Sequence, residues 1–331
     1  MSDEGTWFRI DNTSVASTVR RAADRLAEDL ALPAKRAADL AIVAAELTSN
    51  LLKHTKEGTL LLHPVRSGDV AGVELLAVDS GPGMADLTRF MRDGHSTSGT
   101  LGIGLGAIVR QATWCDVHSV PGKGTVFSVQ VWPGDAPEPA WAAGISRPIT
   151  GETQIGDGYA VRVVEGRHQV LVSDGLGHGP LAAAASQAAV NSFRSAPAVP
   201  PAALVEKLHR EISHTRGAAI AVAELDAAAG VVRYAGLGNI AGTIVEGTSR
   251  RGMISLPGIA GHQRRQIREY DYPISRGAAV VLHSDGVVDR WQPGDYPGLS
   301  SASPVLIAAT VMRDAGVRRD DACVLAARLP S

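Results

Sequence analysis

Pro133, Pro137 and Pro139 fall within the single stretch Pro133-Gly134-Asp135-Ala136-Pro137-Glu138-Pro139, and no regular element runs through such a segment. Proline lacks the backbone donor and fixes φ, so the stretch reads as an extended linker between separately packed halves. The 331 residues suffice for two cores, since single domains cluster at roughly 100–200 residues. The division expected is residues 1–133, a linker at 134–141, and residues 142–331.

Composition narrows the function classes. A formal net charge of -2 without a long basic run gives no electrostatic case for nucleic acid or an anionic membrane as partner. Alanine-rich runs such as Leu181 to Val190 are broken by polar residues, short of the roughly 20 apolar residues that span a bilayer. Met1-Ser2-Asp3-Glu4 is acidic, unlike a signal peptide, so a cytoplasmic location is expected. Cys115 and Cys323 match no metal spacing and read as two buried, reduced thiols.

The first half predicts a strand near Trp7 to Ile10, helices over about Ser14 to Asp29 and Ala34 to Thr55, strands at Thr59 to Pro64 and Gly72 to Val78, and a helix near Leu105 to Ala112. A hairpin follows, Cys115 to Val120 and Thr125 to Val131, turned at Pro121-Gly122-Lys123-Gly124. On the second helix Leu40, Val43, Leu47 and Leu51 form the apolar stripe, and Glu46, Asn50 and His54 form a polar stripe beside it. The half reads as a layered α/β sandwich. The second half has short strands at 159–165, 169–173, 218–224, 231–235, 243–246, 278–283 and 322–328, with helices near 180–193, 201–213 and 304–315. Strands in blocks with helices in pairs predict two sheets covered by helices.

Three segments of the first half carry the inventory of an ATP site. Glu46 and Asn50 are one helical turn apart and point the same way, so a carboxylate able to take a hydroxyl proton stands beside an amide oxygen able to ligate magnesium. Asp79 ends a strand next to Ala77 and Val78, where its carboxylate can accept from an adenine amino group. Gly81 and Gly83 allow close backbone approach, and the amides of the helix opened by Gly104 can cradle phosphates. Taken singly, each feature also fits a plainer role: a solvated helix face, a turn-capping aspartate, an ordinary turn. Their ordered combination is what points to nucleotide.

Four acidic positions stand at strand ends in the second half: Asp157 in Gly156-Asp157-Gly158, Asp174 in Ser173-Asp174-Gly175, Asp285 in Ser284-Asp285-Gly286, and the Asp320-Asp321 pair. Hard oxygens converging across a sandwich suit magnesium or manganese, and two such ions about 3.5–4 Å apart can activate water against phosphorus.

The motifs of the first half resemble those of the GHKL ATPases (Bergerat fold). Glu46-Leu47-Thr48-Ser49-Asn50, Asp79-Ser80-Gly81-Pro82-Gly83, Gly99 to Gly106 and Gly122-Lys123-Gly124-Thr125 follow the family's four boxes in order, and Asp93 to Gly99 followed by Leu101 to Leu105 is similar to the lid of RsbT-type switch kinases. The resemblance implies Glu46 as catalytic base, Asn50 as ligand of magnesium, Asp79 as adenine contact, Thr125 as a second one, and Gly81, Gly83, Gly102, Gly104 and Gly106 around ATP. No helical phosphoacceptor segment precedes the boxes, which points away from a histidine kinase. His54 is read as a packing residue rather than a catalytic one.

The acids of the second half resemble those of minimal PPM (PP2C-type) phosphatases of the RsbX and SpoIIE type, which implies an α/β/β/α sandwich. Asp174 would bridge two Mn2+ or Mg2+ ions, Gly175 would lend its carbonyl, Asp285 and Asp320 would complete one ion, and Asp157 would act directly or through water. Asp320 is preferred to Asp321. His178 lies four residues after Asp174 rather than two, which puts a proton-donor role in doubt. Arg147 and Arg162 are the candidates for phosphate binding.

Together the resemblances imply a bifunctional enzyme, a serine/threonine kinase joined to a phosphoserine/phosphothreonine phosphatase, acting on STAS-domain proteins in a partner-switching pathway. A sigma factor or a downstream phosphatase is a further partner in this reading. The alternative is a nucleotide-gated binding module, anti-sigma or activator, attached to a phosphatase domain. A catalytically dead second half is disfavoured because every expected acid is present.

Overall fold

The computed structural model describes residues 5–55, 57–85, 104–264 and 266–329. The chain forms two compact units, Met1–Pro139 and Ala140–Ser331. Among the described residues no helix is long and apolar enough to cross a membrane.

The first unit runs β1 (Thr6–Ile10), α1 (Val15–Asp29), α2 (Ala34–His54), β2 (Gly58–Ser67), β3 (Val70–Asp79), α3 (Gly104–Gln111), β4 (Trp114–Val120) and β5 (Gly124–Val131). Its antiparallel sheet has the order β1-β2-β3-β5-β4. Alternate residues Leu60 and Leu62, Val73, Leu75 and Ala77, and Phe127, Val129 and Val131 point to one face and bury against Val19, Ala23, Leu40, Val43, Ala44, Leu47 and Leu51 of α1 and α2. The apolar stripe of α2 thus fixes its rotation and leaves Glu46 and Asn50 half-buried at its margin. The opposite face of the sheet is also buried and holds a polar cluster. His63 Nε2 lies 2.7 Å from Glu74 Oε2, and Ser128 and Gln130 donate to Glu74 Oε1 at 2.7 and 2.9 Å.

The second unit begins with β6 (Ala142–Arg147), β7 (Asp157–Val164), β8 (Arg167–Gly175), α4 (Pro180–Ser195), α5 (Pro201–Glu211), β9 (Ala218–Asp226) and β10 (Val231–Leu237). It continues with β11 (Ala241–Glu246), β12 (Ser249–Met253), β13 (Ser255–Leu256), β14 (Tyr270–Pro273), β15 (Ala279–His283), α6 (Pro304–Ala315) and β16 (Ala322–Arg328). One sheet is ordered β13-β10-β9-β8-β7 with β14 also on β10, the other β12-β11-β15-β16-β6. One core lies between the sheets, with Val172, Ala221, Ile244, Val280 and Leu325 at 3 % exposure or less. A second core, built on Phe193, Leu204, Leu208, Ile220 and Val222, lies under α4 and α5, while α6 packs on β16 and β6. The layering is α/β/β/α.

Strands β6, β12, β13 and β14 lie outside the sequence expectation. Strand β12, Ser-Arg-Arg-Gly-Met, is a mostly exposed edge with one buried side chain, Met253, so no apolar alternation marks it. Both cysteines are free thiols. Cys323 is buried as expected, but Cys115 is only half-buried.

Candidate functional sites

In the first unit the site is assembled where β3 and β5 end together. Val78 pairs with Val126, which brings Asp79 and Thr125 to neighbouring strand ends. Asp79 Oδ1 accepts the N–H of Gly81 at 2.7 Å, which turns the chain sharply. Gly83 has φ +66, and a Cβ there would lie 2.1 Å from Val120 O; Gly124 has φ +103, and its Cβ would meet Asp79 O at 2.0 Å. Only glycine satisfies both the left-handed backbone and the contact at these positions. Gly122 N donates to Pro82 O at 2.8 Å, Met84 N donates to Ser119 Oγ at 2.8 Å, and Ser119 Oγ lies 2.8 Å from Thr125 Oγ1. The Asp79 loop is therefore braced along one side by the β4–β5 hairpin.

The C-terminal end of α2 meets the same loop, since a Cβ on Gly81 would lie 3.1 Å from the carbonyl of His54. Glu46 and Asn50 are thus carried on a helix whose end abuts the Asp79 turn. Helix α3 starts at Gly104, buries Gly106, and packs against α2. Gly102 and the lid segment lie outside the described residues. His54, expected to pack, is exposed; its apolar neighbours Leu47 and Leu51 already fill that contact, and the ring is left at the helix end.

In the second unit Asp157 opens β7 and stands directly opposite Asp174 on β8. Asp285 follows β15 and Asp320 precedes β16, the adjacent strands of the facing sheet. All four act on one another electrostatically. Burial, first, and then Asp157, Asp285 and Asp320 push the Asp174 carboxyl up to about 9, and a side-chain hydrogen bond links it to Asp285. Burial also raises Asp157 against the hydrogen bond from Ser284, with Asp321, Asp285 and Asp320 adding to the rise.

Each acid is held by a partner. Ser284 Oγ donates to Asp157 Oδ2 at 2.6 Å and accepts the N–H of Cys323 at 2.9 Å. Asn239 Nδ2 donates to Asp285 Oδ2. The adjacent acids of the Asp320-Asp321 pair diverge. Asp321 is 3 % exposed, accepting Ile149 N on Oδ1 at 2.7 Å and Gly156 N on Oδ2 at 2.8 Å. Asp320 faces the open cleft and accepts the N–H of Asp321 at 2.9 Å. Gly175 lies at the end of β8, where Gly175 N donates to Gly156 O at 3.1 Å. The cleft, about 600 Å³, is walled by Asp174, Asp285, Asp320, Asn239, Gly177 and Ile259 among others.

The donor set consists of hard oxygens that repel one another, which fits a divalent cation. Among the described residues no three His, Cys, Asp or Glu side chains are closed into a metal-holding group.

Sequence reasoning missed Ser284 and Asn239, and the signal for both was adjacency: Ser284 precedes Asp285, and Gly238-Asn239 follows a strand as Asp285 does. Arg162 is not available for phosphate. It is buried, its Nε and Nη2 on Gln169 at 3.0 and 2.7 Å and its Nη1 on Ala196 O at 2.7 Å. Arg147 is half-buried and tied to Val317 O at 3.0 Å. His178 lines the cleft with a side chain 63 % exposed, 3.6 Å from Glu152.

The family model of stage II sporulation protein E (SpoIIE) matches residues 165–330, and that of the histidine kinase-like ATPase domain matches residues 8–130. Over 113 residues the chain is 30% identical to the serine/threonine-protein kinase RsbT of Bacillus subtilis (strain 168), an alignment covering 34% of this chain and 85% of RsbT. A solved structure of the bacterial stressosome, described as a modular system adapted to control secondary messenger signaling, is similar at TM-score 0.51 and 30% identity over 56% of this chain and 98% of that one. A crystal structure of RsbX in complex with magnesium shares the fold at TM-score 0.50 and 16% identity, covering 59% of this chain and 98% of that one.

Proposed function

The chain belongs to the SpoIIE family through residues 165–330 and carries a histidine kinase-like ATPase domain at residues 8–130, and on that premise we propose that it phosphorylates and dephosphorylates serine or threonine on STAS-type proteins of a stressosome-like, partner-switching system. The observation that carries the phosphatase half is the gathering of Asp157, Asp174, Asp285 and Asp320 at one end of the sandwich.

In the first unit Asp79 and Thr125 would receive the adenine edge, Asn50 would lend its amide oxygen to magnesium, and the amides at the start of α3 would cradle the phosphates. Glu46, one turn before Asn50, takes the proton of the attacking hydroxyl. Placement and charge neutralisation carry most of such a transfer, so a half-buried base on a rotation-locked helix is well suited to it.

In the second unit Asp174, Asp285 and Asp320, with the Gly175 carbonyl, would hold Mn2+ or Mg2+, and Asp157 would join directly or through water. When bound, such cations supply charge neutralisation and activation of water. Ser284 and Asn239 each occupy one oxygen of an acid and so aim the other, the part second-layer partners play around metals.

The test is phosphorylation of a purified STAS protein by the full chain with ATP and magnesium, followed by removal of that phosphate after ATP is withdrawn and manganese added. Transfer lost in Glu46→Ala, and removal lost in Asp174→Asn, is the expected result. An absence of both reactions with every STAS partner tried would refute the proposal.

A further inference from the structure

Arg216 occupies the turn between α5 and β9, and that turn is stitched to the acid loop. Leu176 N donates to Gly217 O at 3.0 Å, and Ala218 pairs with Gly175 across β8 and β9. The turn is itself braced: Thr215 Oγ1 accepts Gly217 N at 3.0 Å and donates to Ile212 O at 2.7 Å, while His262 Nε2 lies 3.1 Å from Thr215 O. Gly177 lines the cleft, and the guanidinium reaches it, with Nη1 3.3 Å from where a Cβ of Gly177 would stand.

Most arginines around this sandwich are committed. Arg162 serves Gln169 and helix-end carbonyls, Arg147 serves Val317 O, Arg250 pairs with Asp289, and Arg264 pairs with Glu206. Arg216 is exposed and has no ion pair or hydrogen bond among the described residues. A braced backbone presenting an uncommitted planar cation beside a bed of carboxylates calls for a ligand that the carboxylates cannot themselves attract.

Charge identifies that ligand. Four mutually repelling carboxylates, Asp157, Asp174, Asp285 and Asp320, would be neutralised but not overcompensated by two divalent cations, so a phosphate ester entering as a dianion would still need positive charge. A guanidinium matches two phosphoryl oxygens with parallel N–H donors. We propose that Arg216 receives the phosphoryl group of the phosphoprotein in this cleft, a role for which the buried Arg162 is already committed elsewhere. The inference rests on the phosphatase reading of the acid cluster.

The experiment uses the full chain loaded with manganese and inorganic phosphate as probe, with heat of binding as readout. Arg216→Ala is expected to weaken phosphate binding by about tenfold or more and Arg216→Lys by less, since a point charge replaces a fork. Manganese affinity should stay within about twofold of the parent, and the phosphoprotein KM should rise with kcat little changed. Unchanged phosphate affinity in Arg216→Ala, with manganese still bound, overturns the role of Arg216 and leaves the phosphatase reading standing. A parent chain that binds no manganese removes both.

Discussion

Asp157 and Asp174 face each other as a directly paired couple on adjacent antiparallel strands, each near the end of its strand and each mostly withdrawn from water. Like charges so placed oppose folding, so the sandwich holds an arrangement that its own stability would reject. A cation between them would offset that repulsion.

Replacing one of the pair should therefore stabilise the cation-free protein. Asp174→Asn is expected to raise the unfolding free energy of the second unit by about 1–2 kcal/mol in the presence of a chelator, and to erase the rise in Tm that manganese gives the parent. Differential scanning calorimetry with and without manganese reads both effects; a lower Tm for the variant in chelator would contradict the repulsion argument.

The neighbouring acids Asp320 and Asp321 should part company on substitution. Asp321→Ala leaves the N–H groups of Ile149 and Gly156 unpaired in a buried place, at a cost of about 1.5–3 kcal/mol each way such charged bonds are measured. Asp320→Ala should leave the denaturant midpoint near that of the parent while abolishing phosphate hydrolysis. Urea titration beside a hydrolysis assay separates the two.

Glu74 predicts a pH dependence for the first unit. Burial acts to raise its pKa, but the His63 contact and the hydrogen bonds from Gln130 and Ser128 outweigh it and leave the group lowered from 4.5. A depressed carboxylate stabilises the fold above its unfolded pKa, and that contribution fades as pH falls through the folded value. Glu74→Gln should destabilise the unit at pH 7 by about 3–5 kcal/mol, as expected for breaking a buried pair. The gap between variant and parent midpoints should narrow steadily below the ordinary glutamate value of 4.5; a gap independent of pH would show that Glu74 is not ionised in the fold.

Binding and transfer should separate in the first unit. Glu46→Gln is expected to keep nucleotide affinity while transfer falls by about 10²–10⁴-fold. Gly124→Ala should lose the nucleotide itself, because the added carbon meets Asp79 O at 2.0 Å and must displace the strand end that carries Asp79. Fluorescent nucleotide titration and a radiolabel transfer assay on the same samples decide the point.

Much of this was legible from the chain because strong periods and turn chemistry agree locally. The Leu40, Val43, Leu47 and Leu51 stripe defined α2 almost to its ends, and Pro180, Pro201 and Pro304 each stand at the first position of a helix. The glycines beside Asp157, Asp174 and Asp285 marked strand ends. Edge strand β12 escaped because an exposed edge needs no apolar alternation. Ser284, Asn239 and Arg216 escaped for another reason: their meaning lies in what stands across the fold from them, Asp157, Asp285 and Gly177, and nothing in their own neighbourhood of sequence reports a partner so far along the chain.

Ser284 joins an acid at the head of one sheet to the backbone of the other, through Asp157 on one side and Cys323 on the other. Helix α6 lies behind the strand that Cys323 belongs to. Asp157 is therefore anchored, through a single hydroxyl, to the layer that faces it, and the two sheets are laced together at the end where the acids meet.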